Sequence, residues 1–324
     1  MNTELQIQSF RDTYAALQAE IGKVIVGHTA IVENTLIALF GGGHVLLEGV
    51  PGLGKTLLIR TLGEVLDMPF NRIQFTPDLM PADILGTNLV METDAGKRAF
   101  EFQRGPIFAH LILADEINRA TPKTQSAMLE AMQEKQVTAG GELRKLGEPF
   151  FVMATQNPID QEGTYPLPEA QLDRFLLQVD VGYPDLDSER TMLLATTGAA
   201  EAAPVATLTA GELMAAQALI RRVPVGESVV DAILALVRGG RPETAADAGI
   251  GKHVAWGPGP RAAQALMLAS RARALLQGRL APSIDDVAAL AGPVLRHRMA
   301  LNFAARAEGV VLDELIGRLV ERLG

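Results

Sequence analysis

A parallel β-sheet covered by helices on both faces, followed by an all-helical C-terminal region, is the architecture this sequence predicts, and three observations predict it. Five short runs, HVLLE (44–48), IQFT (73–76), HLILAD (110–115), FFVMAT (150–155) and FLLQVDV (175–181), are almost continuously apolar, as strands buried on both faces must be. Helix-forming segments separate them, the alternation of a doubly covered α/β sandwich. Beyond Tyr183-Pro184-Asp185 the β-branched runs stop, and Ala and Leu recur at helical spacing. The chain therefore divides into an α/β domain over 1–184 and a helical domain over 185–324.

The elements follow in order. Phe10, Tyr14, Leu17 and Ile21 recur at steps of four, three and four, so the chain opens with an amphipathic helix. Two hairpins interrupt the α/β half, one over 87–107 around Asp94-Ala95-Gly96 and one over 136–146 turning at Gly140-Gly141. In the second half helices are expected over 187–196, 209–222, 226–238, 260–277, 283–296 and 311–323, parted by GAAEAAPVA and by the glycine-rich GGRPETAADAGIGKHVAWGPGP. No repeat of fixed period is present.

Composition narrows the class. The 324 residues are 48% hydrophobic and 21% charged, the balance of a soluble globular chain of roughly two domains. With no cysteine, disulfides and cysteine-ligated zinc are excluded. MNTELQIQSFRDTY lacks the apolar centre of a signal peptide, and no run reaches the roughly 20 apolar residues of a membrane span; a cytoplasmic location is expected. A net charge of −9 argues against sequence-independent binding to nucleic acid, which needs an excess or a stripe of cations.

Four segments carry chemistry. Gly49, Gly54, Lys55 and Thr56 meet the pattern G-x-x-x-x-G-K-[ST], after a strand and before a helix whose Leu58, Leu62 and Val65 face the core. Such glycines let backbone N–H groups wrap phosphates, the lysine neutralises the outer phosphates, and the threonine hydroxyl ligates magnesium. LILADEINRA (111–120) ends a strand in adjacent carboxylates. Asp115 can hold a magnesium-bound water and Glu116 can polarise the attacking one; alone, the pair could be two solvated acids. Arg119 is either exposed or active at the nucleotide or a subunit contact, and Thr121-Pro122 starts the next helix. FFVMATQNP (150–158) ends in Gln156-Asn157, where an amide can orient water or touch the terminal phosphate; a turn asparagine before proline is the plainer reading. In EGTYPLPEAQLDRF (162–175), Arg174 is either a surface partner of Asp173 or an arginine finger for a neighbouring subunit.

Together these segments resemble the AAA+ ATPases and, within them, the MoxR family. HVLLEGVPGLGKT, ILADEINRATPKTQSAMLEAMQE, FVMATQNPIDQEGTYPLPEAQLDRFLL and LRHRMALNFAARAEG are similar to that family's signature segments in order and spacing, from about residue 15 onward. The resemblance implies an AAA+ P-loop NTPase core with a C-terminal helical lid, in a hexameric ring that hydrolyses ATP with Mg2+, the nucleotide lying between core and lid. By the same resemblance Lys55 and Thr56 are the Walker A pair, and Gly49, Pro51, Gly52, Leu53, Gly54 and Leu57 complete the nucleotide loop. Asp115 and Glu116 match Walker B, with Thr56 and Asp115 toward the metal; Asn157 matches sensor 1 and Arg174 the arginine finger. Arg261 in GPGPRAA matches sensor 2, Pro260 starting its helix and aiming the guanidinium at the cleft. Val26 and Gly27 match the backbone segment beside adenine, followed by His28 where relatives often have glutamine. The hairpins match elements that face a client, so Arg144 and Lys145 are either client contacts or a solvated strand end.

The resemblance also implies the work: a chaperone that remodels, assembles or activates client proteins with a von Willebrand A-domain partner on a separate chain. A chelatase-like metal-insertion motor, a DNA-remodelling motor and a nucleotide-gated binding module with little turnover stay open. Arg104, His253, Arg296 and His297 have no role assigned by the sequence.

Overall fold

The structure, a computed structural model, describes residues 3–49, 53–92, 98–157, 163–196 and 203–323. Five strands form one sheet: β1 (Val45–Gly49), β2 (Phe70–Gln74), β3 (Leu111–Asp115), β4 (Phe151–Gln156) and β5 (Leu177–Val181). Their order is β2-β3-β4-β1-β5 and every pairing is parallel. The register sets Leu47 beside Thr155, Glu48 beside Gln156 and Gln74 beside Asp115. The carboxyl ends of β1, β3 and β4 thus share one edge, where open α/β sheets bind ligands.

Strand β2 begins three residues before the expected IQFT run and ends at Gln74. It is an edge strand, with a side free of neighbours, so Asn71, Arg72 and Gln74 are tolerated within it. Apolar continuity places the interior strands and finds only the end of this one.

Helix Thr3–Gly22 buries Phe10, Tyr14, Leu17 and Ile21 as the spacing requires. Phe10 and Tyr14 meet Phe40 edge-on at 5.5 and 5.9 Å. Phe40 ends Thr29–Phe40, a helix whose last half is buried all round and which therefore carries no one-sided stripe in the sequence. The helices Leu186–Thr196, Ala210–Arg222, Glu227–Gly239, Pro260–Leu276, Ile284–Leu295 and Leu312–Glu321 each lie within two residues of the expected bounds. One apolar core runs from Phe10 and Leu36 through Leu47 and Leu113 to Leu266, Leu290 and Leu315, so it crosses residue 184 without a break. A second core on the other sheet face gathers Leu46, Ile73, Phe75, Ile112, Met128 and Phe175.

The two hairpins are Gly86–Glu92 with Arg98–Arg104 and Gln136–Ala139 with Glu142–Lys145. The expected turn at Asp94-Ala95-Gly96 lies outside the described residues, whereas Gly140 and Gly141 both adopt positive φ. The hairpins touch: Asn88 Nδ2 donates to Gly140 O at 3.2 Å, and the Arg144 guanidinium lies 3.7 Å from the centre of the Phe102 ring.

Candidate active site

Gly49, Gly54, Lys55, Thr56, Asp115, Glu116 and Asn157 line one cleft, together with Arg72, Gln74, Thr155 and Gln156. The loop that leads into it ends at Gly54, which has φ 76° and no atom within 4 Å of a built Cβ. Glycine is demanded there by backbone conformation. Gly49 is demanded by space, since a Cβ would meet Val181 O at 2.3 Å. Pro51 and Gly52 of the predicted loop lie outside the described residues. Lys55 Nζ donates to Gly49 O at 2.6 Å. Burial draws its pKa below the ordinary lysine value, while Asp115, Glu116 and Glu48 act in the opposite sense.

The carboxylate pair is held by a network that spans three strands. Asp115 Oδ1 accepts from Thr155 Oγ1 at 2.7 Å, and Oδ2 accepts from Arg72 Nη2 at 2.6 Å and Nε at 3.1 Å. Arg72 Nη2 also donates to Gln74 Oε1 at 2.6 Å, and Gln74 Nε2 donates to Glu116 Oε2 at 2.8 Å. Arg119 Nη1 reaches the same Glu116 oxygen at 2.9 Å. Glu116 itself sits at φ 54°, its N–H donating to Thr155 Oγ1 at 2.8 Å. A non-glycine residue in this region is strained and is found where side-chain direction matters. Among the described residues no three His, Cys, Asp or Glu side chains gather as a cage. A cation would be held by one carboxylate, one hydroxyl and substrate phosphates, a donor set that magnesium accepts. The guanidinium of Arg72 already stands as a cation at Asp115.

Beside this cleft lies an apolar cavity lined by Val26, His28, Leu53, Leu57 and Met192. Gly27, at φ 79°, packs so closely on Ser188 that a Cβ would lie 2.5 Å from Ser188 Cβ. The side chain of His28 presents a buried Nε2 without a hydrogen-bond partner, and burial lowers its pKa.

Arg174 and Arg261 line neither of these. They share a third cavity with Asp173, Phe175, Leu176 and Arg298. Arg261, expected to aim at the cleft, stands apart from Lys55 within its own subunit: Pro260 starts the helix, and the guanidinium lies 3.8 Å from Asp173 Oδ2. Asp173 is taken by Arg298 and Arg261, and Arg174 Nε is buried without a partner.

The model of the ATPase family associated with various cellular activities (AAA) matches residues 44–177, and that of the AAA lid domain matches residues 248–318. Chaperone MoxR1 of Mycobacterium tuberculosis is 42% identical over 93% of this chain and 79% of its own length. The chain belongs to the MoxR family of AAA+ ATPases. Protein MoxR of Methylorubrum extorquens is 31% identical over 93% of each chain. A crystal structure of a Cytophaga hutchinsonii protein superposes with TM-score 0.92 at 38% identity, covering 99% of this chain and 97% of that one. The α/β core and helical lid are thus those of a MoxR-type ATPase, a family that binds nucleotide.

Within this MoxR-family site, sequence reasoning missed Arg72, Gln74, Thr155 and Arg298. None stands in a recognisable motif with its partner; for Arg72, Gln74 and Thr155 the signal is a polar residue inside a strand, and Arg298 lies in a short turn after helix Ile284–Leu295. Arg144 faces inward on Phe102 and donates to Ala139 O. The exposed hairpin residues include apolar Val90, Phe100 and Leu143, Phe100 at 77%, among the polar Glu101, Gln103, Glu142 and Lys145.

Proposed function

We propose that this chain is an ATP-hydrolysing subunit of a homo-oligomeric, hexameric ring that remodels client proteins, with its domain division at 184/185. The observation that carries this reading is the convergence of Lys55, Thr56, Asp115, Glu116 and Asn157 on one cleft at the strand ends. Phosphate oxygens replace Gly49 O as acceptors for Lys55, and the adenine lies against Val26, Gly27 and the apolar cavity. Thr56 and Asp115 would hold magnesium, which supplies charge neutralisation along the phosphates when bound. Glu116, oriented by its strained backbone and by Gln74 and Arg119, accepts the proton of the attacking water. Asn157 positions that water.

Arg174 and Arg261 sit together and apart from their own subunit's cleft. That separation supports their action on a neighbour's nucleotide, where a finger contributes about 10³–10⁵ in rate, or roughly 4–7 kcal/mol. A relative bears the name chaperone, and the exposed Val90, Phe100 and Leu143 are suited to unstructured or apolar client segments. A separate von Willebrand A-domain protein completes the proposed assembly.

Glu116→Gln tests the catalytic reading. Fluorescent ATP should bind as in the parent protein, while phosphate release should fall by about 10²-fold or more. Nucleotide binding with no phosphate release by the parent protein would instead make the chain a nucleotide-gated binding module. Capture on the ATP-loaded variant should recover a von Willebrand A-domain protein.

A further inference from the structure

The run Arg296–Arg298, to which the motifs assign no role, joins the segment that carries Arg174 to the helical region. Arg296 Nη1 pairs with Asp180 Oδ2 of β5 at 2.7 Å, and its Nε pairs with Asp313 at 2.8 Å. His297 Nε2 donates to Phe175 O at 3.1 Å; burial holds its ring well below the ordinary histidine pKa and so neutral. Arg298, only 2% exposed, makes four of its five hydrogen bonds to residues 173, 175 and 176. Its Nε donates to Asp173 Oδ1 at 2.7 Å, and Nη2 to Phe175 O at 2.6 Å and Asp173 O at 3.3 Å. Its Nη1 donates to Leu176 O at 3.3 Å and to Val294 O, on its own side, at 2.7 Å.

We propose that Arg298 is the positioning residue of the Arg174 finger: a buried guanidinium of the helical region that grips the backbone on both sides of Arg174 and ties the finger to the lid. This rests on the reading of Arg174 as a finger acting on the neighbouring subunit.

The grip is selective. Residues 173, 175 and 176 are clamped by Arg298, while Arg174 is skipped and lines the adjoining cavity with its Nε unpartnered. From the other side Leu176 N–H donates to His44 O at 2.8 Å. Stability alone gives little reason for a buried charge, because a packed apolar replacement is often neutral or stabilising. Lysine could not reproduce the clamp, since its point charge has three donors where the planar fork supplies five. What the fork does supply is one fixed path for the chain through Arg174, referred to Val294 at the end of helix Ile284–Leu295. Lid and finger then move as one body, so a finger offered to one subunit reports the lid position of the next.

The test uses mixed rings. Lys55→Ala subunits cannot hold ATP but keep their finger; Arg174→Ala subunits hold ATP but lack one. Each alone should be inactive, and mixed they should regain phosphate release. Arg298→Gln should bind fluorescent ATP as the parent does and lose on the order of 10²-fold in kcat, the cost of an ångström-scale misplacement. Mixed with Lys55→Ala subunits it should regain turnover as Arg174→Ala does, and Arg298→Lys should behave like Arg298→Gln. Rescue of Arg174→Ala without rescue of Arg298→Gln, or full activity of Arg298→Gln alone, overturns the proposal. Failure of Arg174→Ala itself to be rescued would remove the finger reading beneath it. Should Arg298→Gln not fold, Asp173→Asn is scored in the same mixture, with a smaller, rescuable loss expected and an unrescued or absent loss contradicting the clamp.

Discussion

Both oxygens of Asp115 are already engaged, one by Thr155 and one by Arg72. A divalent ion held at Asp115 would compete with that guanidinium for the carboxylate. Because Arg72 is 47% exposed, solvent screens the pair and its worth is about 0.5–1 kcal/mol. Arg72→Ala should accordingly tighten manganese binding to the ADP-loaded protein by about two- to fivefold, read from the paramagnetic signal of free Mn2+. Weaker manganese binding would place Arg72 with the phosphates instead. This residue also marks the limit of what the sequence discloses. Lys55, Thr56, Asp115 and Glu116 stand in short motifs whose chemistry is local and readable. Arg72 reaches Asp115 across 43 residues, and Arg298 reaches Asp173 across 125. Only the register of the sheet and the docking of the lid bring such partners together. Arg261 was legible as a helix-starting arginine, but the cavity it lines depends on how the lid is seated.

Elements were legible where one physical requirement dominated. The interior strands announce themselves by continuous hydrophobicity, and the later helices by periodicity. Edge strand β2 was displaced in the reading because one side needs no apolar cover, and helix Thr29–Phe40 was missed because it is buried nearly all round. The hairpins were placed correctly, yet their joining was not visible. Arg144 over Phe102 and Asn88 on Gly140 O make them one unit. A cation–π contact of this kind is worth about 0.5–2 kcal/mol. Arg144→Ala should therefore speed amide hydrogen exchange in both Arg98–Arg104 and Glu142–Lys145, leaving β1 and β4 unchanged. Faster exchange in Glu142–Lys145 alone would mean that the hairpins are independent.

At the scale of the whole molecule, the first apolar core joins the α/β half to the helical half, so the two should unfold in a single transition. Acid should weaken that transition. His44 is buried, its Nδ1 accepting from Val152 N–H and its Nε2 donating to Met132 O, and burial pulls its pKa down to about 4. The unfolded ring titrates near 6.5, so between those values the unfolded chain binds more protons and stability rises with pH. The contribution is complete above about pH 6.5 and is lost as pH falls toward 4, amounting to roughly 2 kcal/mol lost at pH 5. His297 acts in the same direction. Urea midpoints should fall between pH 7.5 and 5, by less in His44→Gln; equal midpoints would contradict the buried neutral ring. Completion of each cleft by a neighbour's Arg174 is the proposal on which the function rests. The direct measurement is phosphate release per subunit across a wide range of protein concentration at saturating ATP. A steep rise in the parent chain, absent in Arg174→Ala at equal nucleotide affinity, is the predicted result. Turnover per subunit that stays constant on dilution to the monomer would contradict it.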